Sequence, residues 1–361
     1  MPEIGLRDGR PLLTFAVLAY NQEPFIRDAI EGALSQTYSP LEIVLSDDCS
    51  SDGTFAVMEQ MASSYKGPHR VIVNRNPSNF GLGGHVNRIM ELSTGELVVI
   101  AEGDDISLPE RTSLTYEAWE HSGRSMAAIY SDYLLIDESG TLRCNPGERT
   151  KEKNGSLFEL QRADLREFMS TLTPMINGCT RVWPRRLFRQ FGKLPTYLRA
   201  EDFVLCFRSL AYGGILHISR PLVKYRRHDK NLSFHTVDHV LDPKSYDEYD
   251  AKRSTSLLIR MTAMDTAIHD IRHLRQINKY DPSYLARVEG EARRVRALFA
   301  LEREMILQGF PGRARIFFEA LSRSGPRPTL RLAPQALPRR LYHKLRAVKL
   351  MLLRYLRMAP M

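Results

Sequence analysis

The sequence predicts an α/β fold with a doubly wound, mostly parallel sheet. Short apolar runs alternate with segments in which apolar residues recur at helical spacing. This alternation is typical of parallel strands that are covered by helices on both faces. Two of the apolar runs also end in clustered acidic residues, and open sheets of this type bind ligands at the carboxyl ends of their strands.

The first hundred residues supply four predicted strands with helices between them. Leu12–Ala19 is apolar except for Thr14, and the Asn-Gln-Glu-Pro that follows Tyr20 indicates a turn after a strand and not a secretory signal. Gly81–Gly84 is predicted to be a flexible loop, because the valine at position 86 breaks the G-x-G-x-x-G spacing of a dinucleotide-binding loop. The predicted strands are Leu12–Ala19, Leu41–Leu45, Val71–Val73 and Leu97–Ala101, and the predicted helices are Phe25–Gln36, a helix through Met61, and His85–Leu92.

Beyond Asp105 the predicted elements are more mixed, and after Tyr246 the apolar spacing is helical. Arg339–Met358 carries an apolar stripe among basic residues, which is typical of a helix that lies on a membrane surface or packs on protein. The predicted elements are a helix at Leu108–Ser122, a strand at Ala127–Ile136, a hairpin turn at Asp137–Gly140, a surface loop at Arg143–Ser156, helices at Ala163–Met169, from Glu201, at Ser256–Ile277 and at Pro282–Gln308, and a Pro-rich linker at Gly325–Pro338.

Charge and cysteine content exclude several classes of protein. The formal net charge is +9, but residues 321–361 hold ten Lys and Arg and no acidic residue, which leaves 41 basic and 42 acidic residues elsewhere. The main body is therefore not predicted to bind nucleic acid. No apolar run approaches the roughly 20 residues that span a bilayer. The four cysteines are far apart, which favours neither a zinc site nor a disulfide framework and predicts a cytoplasmic protein.

The strand ending at Ala101 is followed at once by three carboxylates. Glu102, Asp104 and Asp105 are expected to repel one another at the edge of the sheet and to be stabilised by a divalent cation, Mn²⁺ or Mg²⁺, because hard cations prefer oxygen ligands. The alternative is an acidic turn that caps the next helix. Asp47 and Asp48 end a second strand in the same way, so both clusters are expected to line one crevice.

Two long motifs make the chain resemble family 2 glycosyltransferases. TFAVLAYNQEPFIRDAIEGALSQTYSPLEIVLSDDCSSDGT resembles the opening of that family, and VNRIMELSTGELVVIAEGDD resembles its metal-binding strand. The resemblance covers residues 11–235 and implies a GT-A fold, a nucleotide-sugar donor, a divalent metal and a saccharide or lipid-linked acceptor. A UDP-sugar is the first donor candidate. Glu102 departs from the family's D-x-D-D pattern, whose first position is an aspartate, so the resemblance implies Asp104 and Asp105 as metal ligands before Glu102.

The resemblance also implies roles for individual donor-side residues. Asp48 would accept a hydrogen bond from the base or ribose, and Asp47 would do the same or fix the turn. Asn87 alternatively lies on a helix surface, and the segment around Arg226 is alternatively a solvated basic strand end. The donor-side candidates are Ala19, Tyr20, Glu23, Asp47, Asp48, His85, Asn87, Asp104, Arg226 and His228.

On the acceptor side, the family's catalytic E-D motif matches Glu201 and Asp202. Asp202 is the predicted general base, since a carboxylate can take the proton of an acceptor hydroxyl. The alternative is that both acids only stabilise the first turn of a helix. Asn177, Gly178, Cys179 and Thr180 are candidates for acceptor specificity, or else form a plain inner strand.

The predicted organisation has three parts: a glycosyltransferase domain at 1–240 (donor part 11–106, acceptor part 107–240), a helical extension at 241–324, and a linker with a basic helix at 325–361. The predicted activity is inverting sugar transfer in the assembly of cell-surface polysaccharide or lipopolysaccharide, peripheral on the inner face of the plasma membrane. A sugar-phosphate nucleotidyltransferase and a non-catalytic nucleotide-sugar-binding module remain the alternatives. The former usually has a glycine-rich loop where this chain has Tyr20–Glu23.

Overall fold

A computed structural model describes residues 9–143, 156–171, 176, 178–229, 231, 246–308, 311–324, 330–337 and 342. The chain divides into two compact units, Met1–His228 and Asp229–Met361. Most of the predicted basic helix at 339–358, all but Tyr342, and most of the predicted loop at 143–156 lie outside the described residues. Among the helices described, none is long and apolar enough to cross a membrane.

The first unit begins with four parallel strands, as predicted. They are β1 (Leu13–Ala19), β2 (Leu41–Asp47), β3 (Arg70–Arg75) and β4 (Leu97–Glu102), in the spatial order β3-β2-β1-β4. All seven residues of β1 are buried, because helices cover both faces of this part of the sheet. Ala19 pairs with Asp47 of β2 and Leu18 with Glu102 of β4, so the two acidic strand ends flank the end of β1.

The connecting helices are α1 (Ile26–Leu34), α2 (Thr54–Ser64) and α3 (Gly81–Leu92). The prediction of a flexible loop at Gly81–Gly84 is wrong, because these glycines form the first turn of α3. The Asp48 carboxylate accepts hydrogen bonds from the backbone N–H groups of Phe80 and Gly81, at 2.9 and 3.0 Å, and so caps the helix from another strand end. A β-carbon on Gly83 would lie 2.8 Å from the carbonyl oxygen of Pro195, so only glycine fits there.

The rest of the sheet is mixed. Its elements are β5 (Ile106–Ser107), α4 (Arg111–His121), β6 (Ala128–Ile136), β7 (Phe158–Gln161), α5 (Leu165–Thr171), a 3₁₀ turn (Gly178–Thr180), β8 (Val182–Pro184), α6 (Arg185–Phe191), α7 (Glu201–Tyr212) and β9 (Ile215–Arg226). The long strand β9 pairs in parallel with β6 and antiparallel with β5 and β7, while β8 joins β4 to β6 by antiparallel pairing. In the described part of the chain the sheet has nine strands, of which β1 to β4 form the parallel half.

The second unit is helical. The helices α8 (Tyr246–Gln276) and α9 (Pro282–Leu307) pack on each other. They correspond to the two predicted helices, although α8 begins ten residues earlier than predicted. A further helix, α10 (Gly312–Ser324), and a 3₁₀ segment (Leu330–Ala336) follow. The Asp281 side chain begins α9 by accepting hydrogen bonds from the backbone N–H groups of Ser283 and Tyr284. Leu298, Met305, Phe317 and Leu332 form a small core within this unit.

Candidate active site

Three carboxylates meet at the end of β4, and the group is called the acidic cluster below. Glu102, Asp104 and Asp105 each bring one oxygen to within 4.8 Å of the others. The turn between them requires glycine, because a β-carbon on Gly103 would lie 2.8 Å from the β-carbon of Ala19. The tight turn directs all three side chains to the edge of the sheet that the sequence predicts.

Asp105 is the most deeply buried member of the cluster. It is 2% exposed, and its Oδ1 accepts a hydrogen bond of 2.8 Å from the backbone N–H of Arg226. Its Oδ2 is buried and has no hydrogen-bond partner among the residues that the structure describes. Burial, with the like charges of Asp104 and Glu102, raises the pKa of Asp105 well above its ordinary value. Because no described protein group engages this oxygen, it is a candidate ligand position for a cation.

Arg226, the last residue of β9, and His228, two residues later, both contact Asp104 of the acidic cluster. His228 Nε2 lies 3.0 Å from Asp104 Oδ2. The Arg226 guanidinium is enclosed: it donates to the carbonyl oxygens of Asp104 and Glu138 and to the Asp28 carboxylate, at 2.9, 2.8 and 2.6 Å. Its side chain is 2% exposed, so the alternative of a solvated basic strand end is wrong. The prediction that Arg226 reaches the diphosphate gains no support from this position, because the described contacts engage its Nε and both terminal nitrogens.

A residue that the motifs did not identify joins the two halves of the site. The guanidinium of Arg181 is 1% exposed and contacts three carboxylates. Nη2 lies 3.2 Å from Glu102 Oε1, and Nη1 contacts Glu201 Oε1 at 2.7 Å as well as Asp202 Oδ1. One buried cation therefore bridges the acidic cluster and the predicted catalytic motif.

Glu201 and Asp202 occupy the first turn of α7, and only Asp202 remains open to solvent. Glu201 is 2% exposed, whereas 31% of the Asp202 side chain is exposed. Burial and the neighbouring charge of Asp202 raise the pKa of Glu201 to about 8, although Arg181 opposes the shift. Burial, with the charges of Asp104 and Asp202, likewise raises the pKa of Glu102 to about 7 against Arg181.

The charge balance of the site fits a divalent cation. Arg111 is a further buried cation here; it is 1% exposed and burial lowers its pKa to about 10. Five carboxylates thus lie near three buried guanidinium groups, those of Arg111, Arg181 and Arg226, and the last of these is paired with Asp28. Burial, with the charges of neighbouring carboxylates, raises the pKa of three of the five carboxyl groups. A surplus of oxygen ligands with an unpaired buried carboxylate oxygen is the setting that Mn²⁺ or Mg²⁺ would stabilise. Asp104 and Asp105 are the best-placed ligands, since Glu102 already pairs with Arg181.

The acidic pair at the end of β2 is held differently. Asp47 is fully buried and accepts hydrogen bonds from the backbone N–H and hydroxyl of Ser50. Asp48 caps α3 and also accepts a hydrogen bond of 2.7 Å from Asn76 Nδ2. The contact with Ser50 matches the predicted turn-fixing role of Asp47. Donor binding by either residue stays a prediction.

The other donor-side candidates divide into exposed and buried groups. Tyr20 is 47% exposed directly after β1, while the backbone carbonyl of Ala19 accepts a 2.9 Å hydrogen bond from the Asp48 N–H. The Glu23 carboxylate accepts a 2.8 Å hydrogen bond from the backbone N–H of Gly53, the residue directly before α2. His85 is buried against the Ser46 hydroxyl at 2.8 Å, and burial lowers its pKa.

Asn87 is also buried, and its amide makes two 2.8 Å hydrogen bonds to the backbone N–H and C=O of Leu194. The alternative that it lies on a helix surface is wrong, since it is 6% exposed. It fastens α3 to the segment that precedes α7, and its predicted contact with the donor stays a prediction.

Of the acceptor candidates, Asn177 lies outside the described residues. Gly178, Cys179 and Thr180 form a 3₁₀ turn and not an inner strand, because the strand begins only at Val182. Cys179 and Thr180 are buried, and burial raises the pKa of the Cys179 thiol well above its ordinary value. Gly178 borders the site: a β-carbon there would lie 2.9 Å from Glu102 Oε1 and 3.2 Å from Asp202 Oδ2.

Comparison with known sequences supports the expected family. The sequence model described as "Glycosyl transferase family 2" matches residues 14–186. Uncharacterized glycosyltransferases of Rickettsia typhi and Rickettsia felis are 29% and 28% identical over 61% and 63% of this chain. The matched parts span 65% and 36% of the lengths of those two relatives.

The fold also resembles that of a solved structure. TarS 1–349 of S. aureus superimposes with a TM-score of 0.55 at 15% identity, covering 92% of this chain and 89% of TarS. The same TarS fragment in complex with UDP-GlcNAc gives a TM-score of 0.53. Residues 14–186 are therefore a glycosyltransferase family 2 domain, and the fold to which they belong is GT-A.

Proposed function

We propose that the protein is a metal-dependent, inverting glycosyltransferase that moves a sugar from a nucleotide-sugar donor to an acceptor hydroxyl. The observation that carries this proposal is the convergence of β4 and α7 on Arg181. That convergence brings the acidic cluster and Asp202 to one place. It is supported by two carboxylate oxygens, Asp105 Oδ2 and Asp202 Oδ2, that no hydrogen bond among the described residues engages.

Asp202 is the proposed general base. One of its oxygens is held by Arg181, and the side chain keeps 31% exposure, so an acceptor hydroxyl can approach the other. As the acceptor oxygen forms its bond to the anomeric carbon, its proton passes to Asp202. The bond between that carbon and the diphosphate oxygen breaks, and the nucleoside diphosphate departs with the electron pair. Attack opposite to the leaving group inverts the anomeric configuration.

Asp104 and Asp105, with His228 beside them, are the proposed metal-binding residues. A cation held there would neutralise the charge of the departing diphosphate. Arg226 acts on these residues indirectly, since its guanidinium fixes the backbone of Asp104 and its own N–H fixes Asp105 Oδ1. Supporting contacts of this kind keep a site in its productive geometry.

UDP-sugars are the proposed donors to test first, because TarS, which shares the fold, has been solved with UDP-GlcNAc and with UDP. The ring of Tyr20, exposed at the carboxyl end of β1, is the proposed stacking surface for the base. The proposed setting is the assembly of surface polysaccharide or lipopolysaccharide on a saccharide or lipid-linked acceptor. The ten basic residues of 321–361 would favour an anionic membrane surface, and vesicle binding that is indifferent to anionic lipid would remove that part.

Calorimetry with UDP-, GDP- and dTDP-sugars, with and without Mn²⁺, tests the donor site, and release of nucleotide tests turnover. We expect metal-dependent binding of one nucleotide class and slow hydrolysis of that donor when water replaces the acceptor. Asp202→Asn should retain binding and lose about 10²- to 10⁴-fold in turnover, the usual contribution of a general base. Release of pyrophosphate from a sugar phosphate and a nucleoside triphosphate would instead identify a nucleotidyltransferase, and binding without turnover a binding module.

A further inference from the structure

We infer that Arg181 is a positioning residue that couples the two halves of the site. It aligns Asp202 for the acceptor and at the same time limits the negative charge that the acidic cluster presents to a cation. The inference rests on the proposed function and adds a residue that neither the family motifs nor their spacing identify.

The guanidinium is held through both of its terminal nitrogens, while its buried Nε has no hydrogen-bond partner among the described residues. The Arg181 carbonyl accepts a 3.1 Å hydrogen bond from the Ile100 N–H of β4, and the next residue, Val182, pairs with Val99 in the sheet. The guanidinium carbon lies 5.5 Å from the ring centre of Trp183. Because a guanidinium is planar and rigid, its nitrogens hold their partners in set directions. Arg181 therefore transmits the position of β4 directly to the first turn of α7.

This arrangement selects one oxygen of the proposed base. Arg181 Nη1 engages Asp202 Oδ1, and Oδ2 turns toward Gly178, where a β-carbon would lie 3.2 Å away. The same β-carbon would lie 2.9 Å from Glu102 Oε1. Glycine at 178 therefore leaves space between the acidic cluster and Asp202, which is where an acceptor hydroxyl must enter. A base that rotated freely would present this oxygen only part of the time.

Arg181 also offsets charge. Its Nη2 contact with Glu102 is 3.2 Å, and its removal would leave that carboxylate facing Asp104 with less compensation. A more negative cluster binds a divalent cation more tightly. Loss of Arg181 should consequently impair turnover and strengthen metal binding at once. A purely structural role would weaken both.

The test compares Arg181→Met and Arg181→Lys with wild type and with Arg208→Met in the full-length chain. Arg208 is a matched control, because it is 2% exposed, belongs to α7 and donates to the carbonyl of Gly192. Binding of Mn²⁺ alone is measured from the electron paramagnetic resonance signal of the free ion. Turnover is the release of nucleoside diphosphate from the donor that the calorimetric screen identifies. Tryptophan fluorescence measures the folded fraction, to which both quantities are normalised.

We expect Arg181→Met to lose about 100-fold in turnover, the scale of a misplaced catalytic group, and to bind Mn²⁺ several-fold more tightly. Arg181→Lys should restore wild-type Mn²⁺ affinity without restoring turnover, because one ammonium group keeps the charge but cannot span three carboxylates. Arg208→Met should match wild type in both quantities once normalised.

Unchanged or weaker Mn²⁺ binding in Arg181→Met, or full turnover in Arg181→Lys, would overturn the inference. If wild type turns over no donor, the proposed function fails. The Mn²⁺ series still decides whether Arg181 balances the charge of the cluster.

Discussion

The two acidic strand ends that flank β1 have the same local sequence character and opposite surroundings. At the end of β2, hydrogen bonds from Ser50, Asn76, Phe80 and Gly81 occupy the carboxylates of Asp47 and Asp48. At the end of β4, the carboxylates face one another within 4.8 Å, and one buried oxygen of Asp105 has no partner in the described part of the chain.

The difference indicates why the β4 end, where hydrogen-bond donors are scarce, is the candidate ligand site and the β2 end is not. At the β2 end the donors are Ser50 in the turn after β2, the Asn76 amide after β3, and the first backbone N–H groups of α3, which point at Asp48. After β4 the chain passes directly into β5, and the nearest donor to Asp105 is the backbone of Arg226. We therefore expect substitutions at the β2 end to change mainly stability and those at the β4 end to change mainly cation binding.

The largest effect is expected for Asp105→Asn. The amide keeps an oxygen for the Arg226 N–H but removes a charged ligand. Mn²⁺ affinity should therefore fall by about 100-fold or more, because loss of a group that only supports a metal ligand already costs about 10- to 100-fold in affinity. Without metal the variant should be more stable by on the order of 1 kcal/mol, since like charges no longer share a buried site. Titration with Mn²⁺ and urea unfolding measure the two effects. Equal Mn²⁺ affinity in wild type and variant would remove Asp105 from the ligand set.

Asp48→Ala should have a smaller effect of the opposite kind. It removes the cap of α3 and the partner of the buried Asn76 amide, so the free energy of unfolding should fall by about 2 kcal/mol while Mn²⁺ affinity is retained. Both tryptophans, Trp119 and Trp183, belong to the first unit, so their fluorescence in urea reports its unfolding. Asp48→Asn is the matched control and should lose less. A loss of Mn²⁺ binding in Asp48→Ala would erase the distinction between the two strand ends.

A third effect is a pH dependence of stability in the absence of metal. The folded pKa of Glu201 is raised from 4.5 to about 8, so between these values the folded state holds a proton that the unfolded state has released. Stability must therefore fall as pH rises from 5 to 8. Glu201→Gln should flatten this fall, and Mn²⁺ should reduce it by stabilising the ionised cluster. Stability that rises over this interval would contradict the raised pKa.

The strands, the first helices and the acidic strand ends could be predicted from the sequence because each depends on neighbours in the chain. Four apolar residues and an alanine predict β4 whatever surrounds them, and the carboxylates follow directly. The start of α3 could not be predicted, because Gly81–Gly84 has poor helical propensity and its cap is Asp48, from another strand.

Arg181 could not be predicted for the same reason. Its partners Glu102 and Asp202 are 79 and 21 residues away, and a single arginine beside a strand has no local signal. The enclosed state of Arg226 depends likewise on Asp28, at a separation of 198 residues. Only the buried position of these arginines, which requires carboxylate or carbonyl partners, distinguishes them from the exposed arginines of the chain.

The three partners of β9 have a consequence for the order in which the chain folds. During synthesis β6 is complete at Ile136, yet its parallel neighbour begins only at Ile215, and β5 and β7 wait for the same strand. Pairings between distant segments form slowly and leave strand edges exposed meanwhile. We expect β1 to β4 to assemble first and the candidate active site to be completed last. A chain that ended at residue 186, where the family match ends, would keep the acidic cluster and lack both Asp202 and β9.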